Sequence, residues 1–424
     1  MAEQSPAAGN APAPRLRILV VSPGLPYPPI WGFGIRVLQF LRLLARRHEV
    51  TLLTYEEPDE REKVAAVAAL GVEVITVPRA KANERDKRRA QFSSVFTTTS
   101  YQRRSLTSEL MQTKLNELAS SRGFDIVQIE SSQLAGFNFD PRWMIVLDEH
   151  NIEYELLYRM YQTEGSAARR FYNWIEYTKF RREEVDSWRR VSGCVMTSSR
   201  EQRIMKTLAP STPSIVGANA VDVEHFSPSN APVEPNALVM TGLMHYRPNI
   251  DGAVYFVQEI LPRILASRPD TVFYIVGAGA TDELKRLEGP NVVVTGTVPD
   301  VRPYARDASV FVVPLRMGGG TRLKVLEGLS MEKAVVSTSI GCEGIDVVHD
   351  EHLLIADEPQ SFADAVLSLM NDRERATRLG QRGRLLVEQR YKWESVVDRL
   401  ESFYAELLAG RQDQARTGGT RSGR

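Results

Sequence analysis

One segment, LRILVVSPGLPYPPIWGFGIRVLQFLRLLARRHEVTLLTY starting at Leu16, constrains the architecture more than any other part of the chain. It reads as a strand, a loop bearing Gly32 and Gly34, an amphipathic helix and a second strand. Two neighbouring parallel strands can be joined only by a crossover, so this βαβ pattern requires a parallel sheet with right-handed connections. Residues 72–77, 125–130, 144–147 and 194–197 read as further strands, the last of them closing the first half. A Pro- and Asn-rich stretch at 228–236 interrupts the alternation. It then restarts with strands at 237–241, 272–276, 292–295 and 310–313. At 424 residues the chain exceeds one ordinary core. The expected fold class is α/β, with two doubly wound parallel-sheet domains.

The segment SVFVVPLRMGGGTRLKVLEGLSMEKAVVST, residues 309–338, carries the most chemistry. An apolar strand ends at Pro314, and Gly318, Gly319 and Gly320 strip a loop of side chains before a helix with Thr321 as its expected N-cap. Leu323, Leu326 and Leu329 or Ser330 share one helical face, with Lys324 and Glu327 on another. A bare loop feeding a helix presents backbone N–H groups to an anion. Lys324 adds a positive charge, and Glu327 is an acceptor of the kind that holds vicinal hydroxyls. Phosphate and diol together describe a nucleotide sugar. The plainer alternative is a flexible turn followed by a solvated i,i+3 ion pair.

In the first half, the strand at 144–147 delivers Asp148, Glu149, His150 and Asn151 at its C-terminal end, where open α/β sheets bind ligands. The first loop lacks the full spacing of a dinucleotide fingerprint, and Gly277 and Gly279 only begin one, with Asp282 at the third glycine position. Residues 79–104 are rich in Lys and Arg, which suits a solvated loop or helix face, or contact with anionic lipid or a pyrophosphoryl acceptor. The segment 167–190 reads as a long helix whose Phe171, Trp174, Ile175, Thr178 and Trp188 are expected to pack on the sheet. Formal net charge is zero, so no electrostatic footprint argues for nucleic acid. Cys194 and Cys342 lie in apolar surroundings and read as buried free thiols of a reducing compartment. Residues 1–15 read as a disordered leader without a secretory signal, the tail after Gly410 as disordered, and no apolar run reaches membrane-spanning length.

The segment 309–338 resembles the donor-site signature of family-four retaining glycosyltransferases of GT-B fold, the group 1 glycosyl transferases, and its Gly-Thr-Arg-Leu-Lys wording resembles the branch containing sugar transferases of bacterial exopolysaccharide clusters. Val325, Leu326, Glu327 and Gly328 match the second half of the signature, whereas Gly319 stands where the family commonly has a first Glu. Asn219, Val221, Asp222, Phe226 and Pro228 fit the family's interdomain segment, with Ala218 and Ala220 as departures. The likeness runs from Leu16 to Leu408, ending in an amphipathic helix at 391–408 that in the family crosses back onto the first domain.

The resemblance implies an acceptor domain at 16–215, a donor domain at 216–390 and a returning helix at 391–410. It implies catalytic roles for His150, for Lys324 and for Arg247 of the GLMHYRPN loop, where the family's usual Arg and Lys are replaced by Leu243 and Pro248. Gly242, Gly318, Gly319, Gly320, Thr321, Arg322 and Glu327 would bind the donor, and Trp31, Gly32, Gly34 and Arg36 the acceptor, with Phe33 as a further wall. The implied activity is metal-independent, retaining transfer of a sugar from a nucleotide sugar to a glycan, lipid-linked or small-molecule acceptor in polysaccharide or glycoconjugate synthesis. No cofactor or metal is expected, and the implied location is the cytoplasm, with peripheral membrane contact through residues 79–104. Two rival readings remain open: a nucleotide-sugar epimerase of the same fold, and a catalytically silent module that binds sugar nucleotides.

Overall fold

The structure is a computed structural model that describes residues 14–29, 31–79, 83–229, 232–318 and 321–418. The first sheet is built from β1 (Arg17–Ser22), α1 (Gly32–Leu44), β2 (Glu49–Glu56), α2 (Arg61–Ala68), β3 (Glu73–Pro78), α3 (Glu84–Ser94), α4 (Tyr101–Leu106) and α5 (Glu109–Ser121). It continues through β4 (Ile126–Glu130), β5 (Met144–Asp148), α6 (Glu153–Thr163), α7 (Ala167–Arg190), β6 (Gly193–Met196), α8 (Ser199–Leu208) and β7 (Ser214–Val216). Its seven strands run in the order β3-β2-β1-β4-β5-β6-β7, all parallel. β7 extends the sheet by one strand beyond β6, because Ile215 and Val216 pair with Val195 and Met196 before the chain leaves the domain.

The second sheet takes in β8 (Glu234–Thr241), α9 (Arg247–Tyr255), α10 (Leu261–Leu265), β9 (Val272–Val276), α11 (Asp282–Lys285), β10 (Val292–Gly296), α12 (Arg302–Asp307) and β11 (Ala308–Val313). After it come α13 (Leu323–Ser330), β12 (Val335–Ser337), β13 (Leu354–Ile355), α14 (Pro359–Asn371), α15 (Arg373–Arg390) and α16 (Trp393–Gly418). Its six strands are ordered β10-β9-β8-β11-β12-β13 and again parallel. Residues 340–344 form turns between β12 and β13.

Parallel strands covered on both faces read as continuous apolar runs, and β1 and β11 do so. In the first domain, Ile18, Val20, Leu52 and Val146 face one core shared with α1 and α16, while Leu19, Val21, Leu53 and Leu147 face another shared with α5 and α7. The returning helix is part of that first core through Val396, Leu400 and Tyr404. It also continues to Gly418, so residues 411–418 are helical rather than a disordered tail. The expected leader falls outside the described residues up to residue 13.

α7 corrects the expected packing. Phe180, Val185 and Trp188 are its buried apolar residues, whereas Phe171 and Trp174 are exposed. Its inner face is set by a buried acidic arrangement in which Glu184 accepts from the backbone N–H groups of Glu153 and Tyr154, capping α6, while Trp188 donates to Glu149 at 2.7 Å. Cys194 and Cys342 are free and buried. Among the described residues, no helix is long and apolar enough to cross a membrane.

Candidate active site

The C-terminal ends of β8 and β9, the loop after β11 and the start of α13 meet at one place in the second domain. Two glycines make that convergence possible. Gly277, at φ +145°, lies so close to Gly242 that a Cβ there would stand 1.8 Å from the Gly242 carbonyl oxygen. Gly242, at φ +150°, leaves room above itself, where a Cβ would meet Lys324 Nζ at 2.9 Å. Lys324 therefore sits directly over the end of β8. It donates to Asn249 Oδ1 at 2.7 Å, and Asn249 in turn donates to the Leu243 carbonyl, which fixes the amide's orientation. Glu327 lies one turn further along α13.

Lys324 and Glu327 keep partial solvent contact, yet protein surrounds both densely enough for desolvation to dominate their titration. Burial lowers the Lys324 ammonium to about 7, against the opposing pull of Glu327 and with added repulsion from Arg322. Burial raises the Glu327 carboxyl to about 7, opposed by Lys324. The site thus holds a cation that water no longer stabilises, which an arriving anion would recharge. Arg322 is itself buried, held down from its ordinary value first by desolvation, and its guanidinium lies against Gly318.

The first domain supplies the opposite wall. A Cβ on Gly32, at the start of α1, would lie 4.0 Å from Leu323, so the N-termini of α1 and α13 approach each other across the cleft. Trp31 precedes it, 43% exposed. Gly34 lies beneath, against Pro26 and the Trp31 ring. Phe33 packs on the His150 ring at 4.7 Å between centroids. His150 sits just past β5, with Nε2 2.9 Å from Glu130 of β4. Asn151, Arg159, Ser198, Thr321 and Gly344 line the floor between the domains. Arg200 spans it, bonded to Glu155 at 2.8 Å and approaching Glu343 at 3.6 Å.

Several expected residues stand elsewhere. Arg36 is fully buried and does not face an acceptor. It makes two hydrogen bonds to Asp148, at 2.8 and 2.6 Å, and a third to Asn219. Its position on the inward face of α1 aims it under the β5 end rather than out of it. Arg247 is solvent-exposed at the start of α9 and pairs with Glu283 at 3.3 Å, whereas Lys324 bonds Asn249. Thr321 is not an N-cap: α13 begins at Leu323 after Arg322, and the buried Thr321 Oγ1 has no hydrogen-bond partner. Gly319 and Gly320 lie outside the described residues.

Sequence reasoning missed three neighbours of the site. Asn249 orients Lys324, Glu130 holds His150, and Arg159 of α6 donates across the cleft to the Gly318 carbonyl. A buried polar residue on an otherwise apolar helix face was the available signal for Asn249. Glu130, Asp148 and His150 are close enough to hold a metal ion. Their carboxylates also take part in hydrogen bonds, both Asp148 oxygens with Arg36 and the two Glu130 oxygens with Gln128 and His150. The set is a hydrogen-bonded cluster that positions His150.

Residues 235–372, which contain the Lys324 cluster, match the family model described as glycosyl transferases group 1. The second domain is a group 1 glycosyl transferase domain. Over 369 residues, 83% of this chain and 90% of the relative, the protein is 24% identical to an uncharacterized 44.6 kDa protein in the cps region of Klebsiella pneumoniae. Among solved structures, sucrose-phosphate synthase from Thermosynechococcus elongatus superposes with a TM-score of 0.67 at 16% identity, covering 93% of this chain and 100% of that one. HepE of Anabaena, in complex with UDP and glucose, superposes with a TM-score of 0.63 at 12% identity, covering 92% and 100%. Both domains together therefore have the GT-B fold: two parallel-sheet α/β units with the group 1 domain second.

Proposed function

We propose that the protein is a retaining glycosyltransferase that moves a sugar from a nucleotide-sugar donor to a glycan or lipid-linked acceptor in polysaccharide synthesis. The observation that carries this reading is the desolvated Lys324, held by Asn249 over Gly242 at the start of α13. An amine that burial lowers to about 7 gains most from an anion that arrives with its own charge. The group 1 domain match, the capsule-region relative and the UDP and glucose named with HepE support the choice of a sugar nucleotide as that anion.

In this reading Lys324, Arg322 and the amides leading into α13 hold the diphosphate, and Glu327 accepts hydrogen bonds from the ribose diol. His150, oriented by Glu130, faces the transferred sugar, and Trp31, Gly32 and Phe33 border the acceptor. Charge that accumulates on the diphosphate as the glycosidic bond breaks meets Lys324 and Arg322, so stabilisation grows toward the transition state. The same cations make a divalent metal unnecessary for the leaving group.

Thermal unfolding in a panel of nucleoside diphosphates and their sugars tests donor binding. A ligand at about a hundred times its dissociation constant adds about 2.7 kcal/mol of stability. Incubating the best sugar nucleotide with and without acceptors then reads the reaction: transfer supports the proposal, whereas an isomerised sugar nucleotide formed without acceptor identifies an epimerase instead. Tight binding with no turnover under any acceptor would identify a silent module.

A further inference from the structure

Two pairs of aromatic rings stand in solvent on adjoining elements of the first domain. Phe92 and Phe96, at the end of α3, are 71% and 77% exposed and lie edge to face at 5.5 Å. Phe171 and Trp174, in the first turns of α7, are 60% and 46% exposed and stack at 6.0 Å. The elements are fastened together. Lys179 of α7 donates to the Ser94 carbonyl at 2.6 Å, and Ser94 donates to Glu176 at 2.9 Å. Single exposed apolar side chains are ordinary, but paired rings on two joined helices form a patch that needs a partner.

Arg88 and Arg89 on α3 and Arg169 and Arg170 on α7 are exposed. Two acidic residues of α7 turn inward: Glu176 accepts from Ser94 and the Tyr101 N–H, and Glu183 accepts from the Ser100 N–H and hydroxyl, while Asp86 of α3 is exposed among Arg85, Lys87, Arg88 and Arg89. Not every cation of 79–104 is available, since Arg79 donates to the Ser105 carbonyl and Arg103 is buried against Ser132 and Ser187. Exposed rings flanked by outward cations match the interfacial layer of an anionic bilayer, where aromatic rings enter the headgroup level and Arg meets lipid phosphate. α7 follows α6, whose Arg159 donates across the cleft to the Gly318 carbonyl.

We propose that Phe92, Phe96, Phe171 and Trp174, with the surrounding arginines, form a docking surface for an anionic lipid bilayer that brings the cleft to a lipid-linked acceptor. The acceptor half of that statement rests on the glycosyl-transfer reading. The docking half does not, and its assay needs neither donor nor turnover.

The test is flotation of the full chain with vesicles of phosphatidylcholine alone or mixed with phosphatidylglycerol, at low and high salt. The protein should float with the anionic vesicles, less so in high salt. Phe92→Ser with Phe96→Ser should weaken partitioning about 100-fold, from the loss of two inserted rings. Arg88→Glu with Arg89→Glu should weaken it at least about 30-fold and flatten the salt dependence. All four substitutions lie at exposed positions, so thermal unfolding should stay at the parent value. Three results would each overturn the proposal: no flotation of the parent chain, undiminished flotation of the aromatic variant, or parent self-association in sedimentation velocity that the aromatic variant abolishes without any vesicle binding. That last outcome would assign the patch to a second copy of the chain.

Discussion

Donor binding should draw a proton onto Lys324, and the pH dependence of affinity measures how far the empty site is desolvated. In the free protein, burial holds this ammonium at about 7. A diphosphate charge about 4 Å away contributes ~4 kcal/mol at an effective dielectric of ~20, which amounts to roughly 3 pKa units. The amine in the complex should therefore titrate at about 10. The complex then carries more protons than the free protein throughout the interval from about pH 7 to about pH 9, so affinity falls as pH rises, by about 50-fold over that interval. Glu327 works in the opposite direction, because a ribose donating to it favours the ionised carboxylate. Its carboxyl already titrates at about 7, which limits its contribution above that pH to about twofold. Isothermal titration calorimetry with the tightest nucleoside diphosphate, in buffers of different ionisation enthalpy, should read uptake of ~1 proton at about pH 8. Lys324→Met should abolish the uptake and flatten the profile. An affinity that is level across the interval in the parent protein, or a slope that survives Lys324→Met, would refute the assignment of the anion to this amine.

Lys324→Ala should lower kcat by about 10², the size of a lost oxyanion-type donor, whereas Glu327→Gln should act mainly on the donor KM, since ribose contacts exist equally before and during reaction. Steady-state kinetics separate the two, and a shared effect on kcat alone would contradict the division. Arg36→Met leaves Asp148 buried without its cation and should cost about 3–5 kcal/mol in urea unfolding, whereas a loss below about 1 kcal/mol would place Arg36 outside the structural network. Chelation with EDTA should leave the transfer rate unchanged. A rate lost in EDTA and restored by magnesium or manganese would mean that the cations around Lys324 do not suffice.

Glu130 links the reaction half of the site to the protein's framework. It is fully buried in a network with Gln128, His150 and, through Gln128, Tyr404 of the returning helix. Burial and the neighbouring Asp148 raise its pKa, and His150 lowers it. The orientation of His150 is thus tied to the docking of α16, an element more than two hundred residues distant in sequence.

By itself, the sequence determined what depends on local pattern. Apolar runs bounded by Gly and Pro marked nearly every strand of both sheets, and the helical spacing of Leu323, Leu326 and Leu329 put Lys324 and Glu327 together beside the glycine loop. Periodicity encodes which residues share a face, but not which distant element meets that face. The partners of Arg36 and Lys324 lie 112 and 75 residues away, so only the folded sheets decided that Arg36 is a buried brace and that Asn249, rather than Arg247, attends the amine. The same limit applies to α7, where aromatic residues resembled core until the sheet used Phe180 and Trp188 and left Phe171 and Trp174 outside. A long helix offers several apolar arcs, and the one that turns inward depends on the surface it meets, which tertiary packing alone supplies.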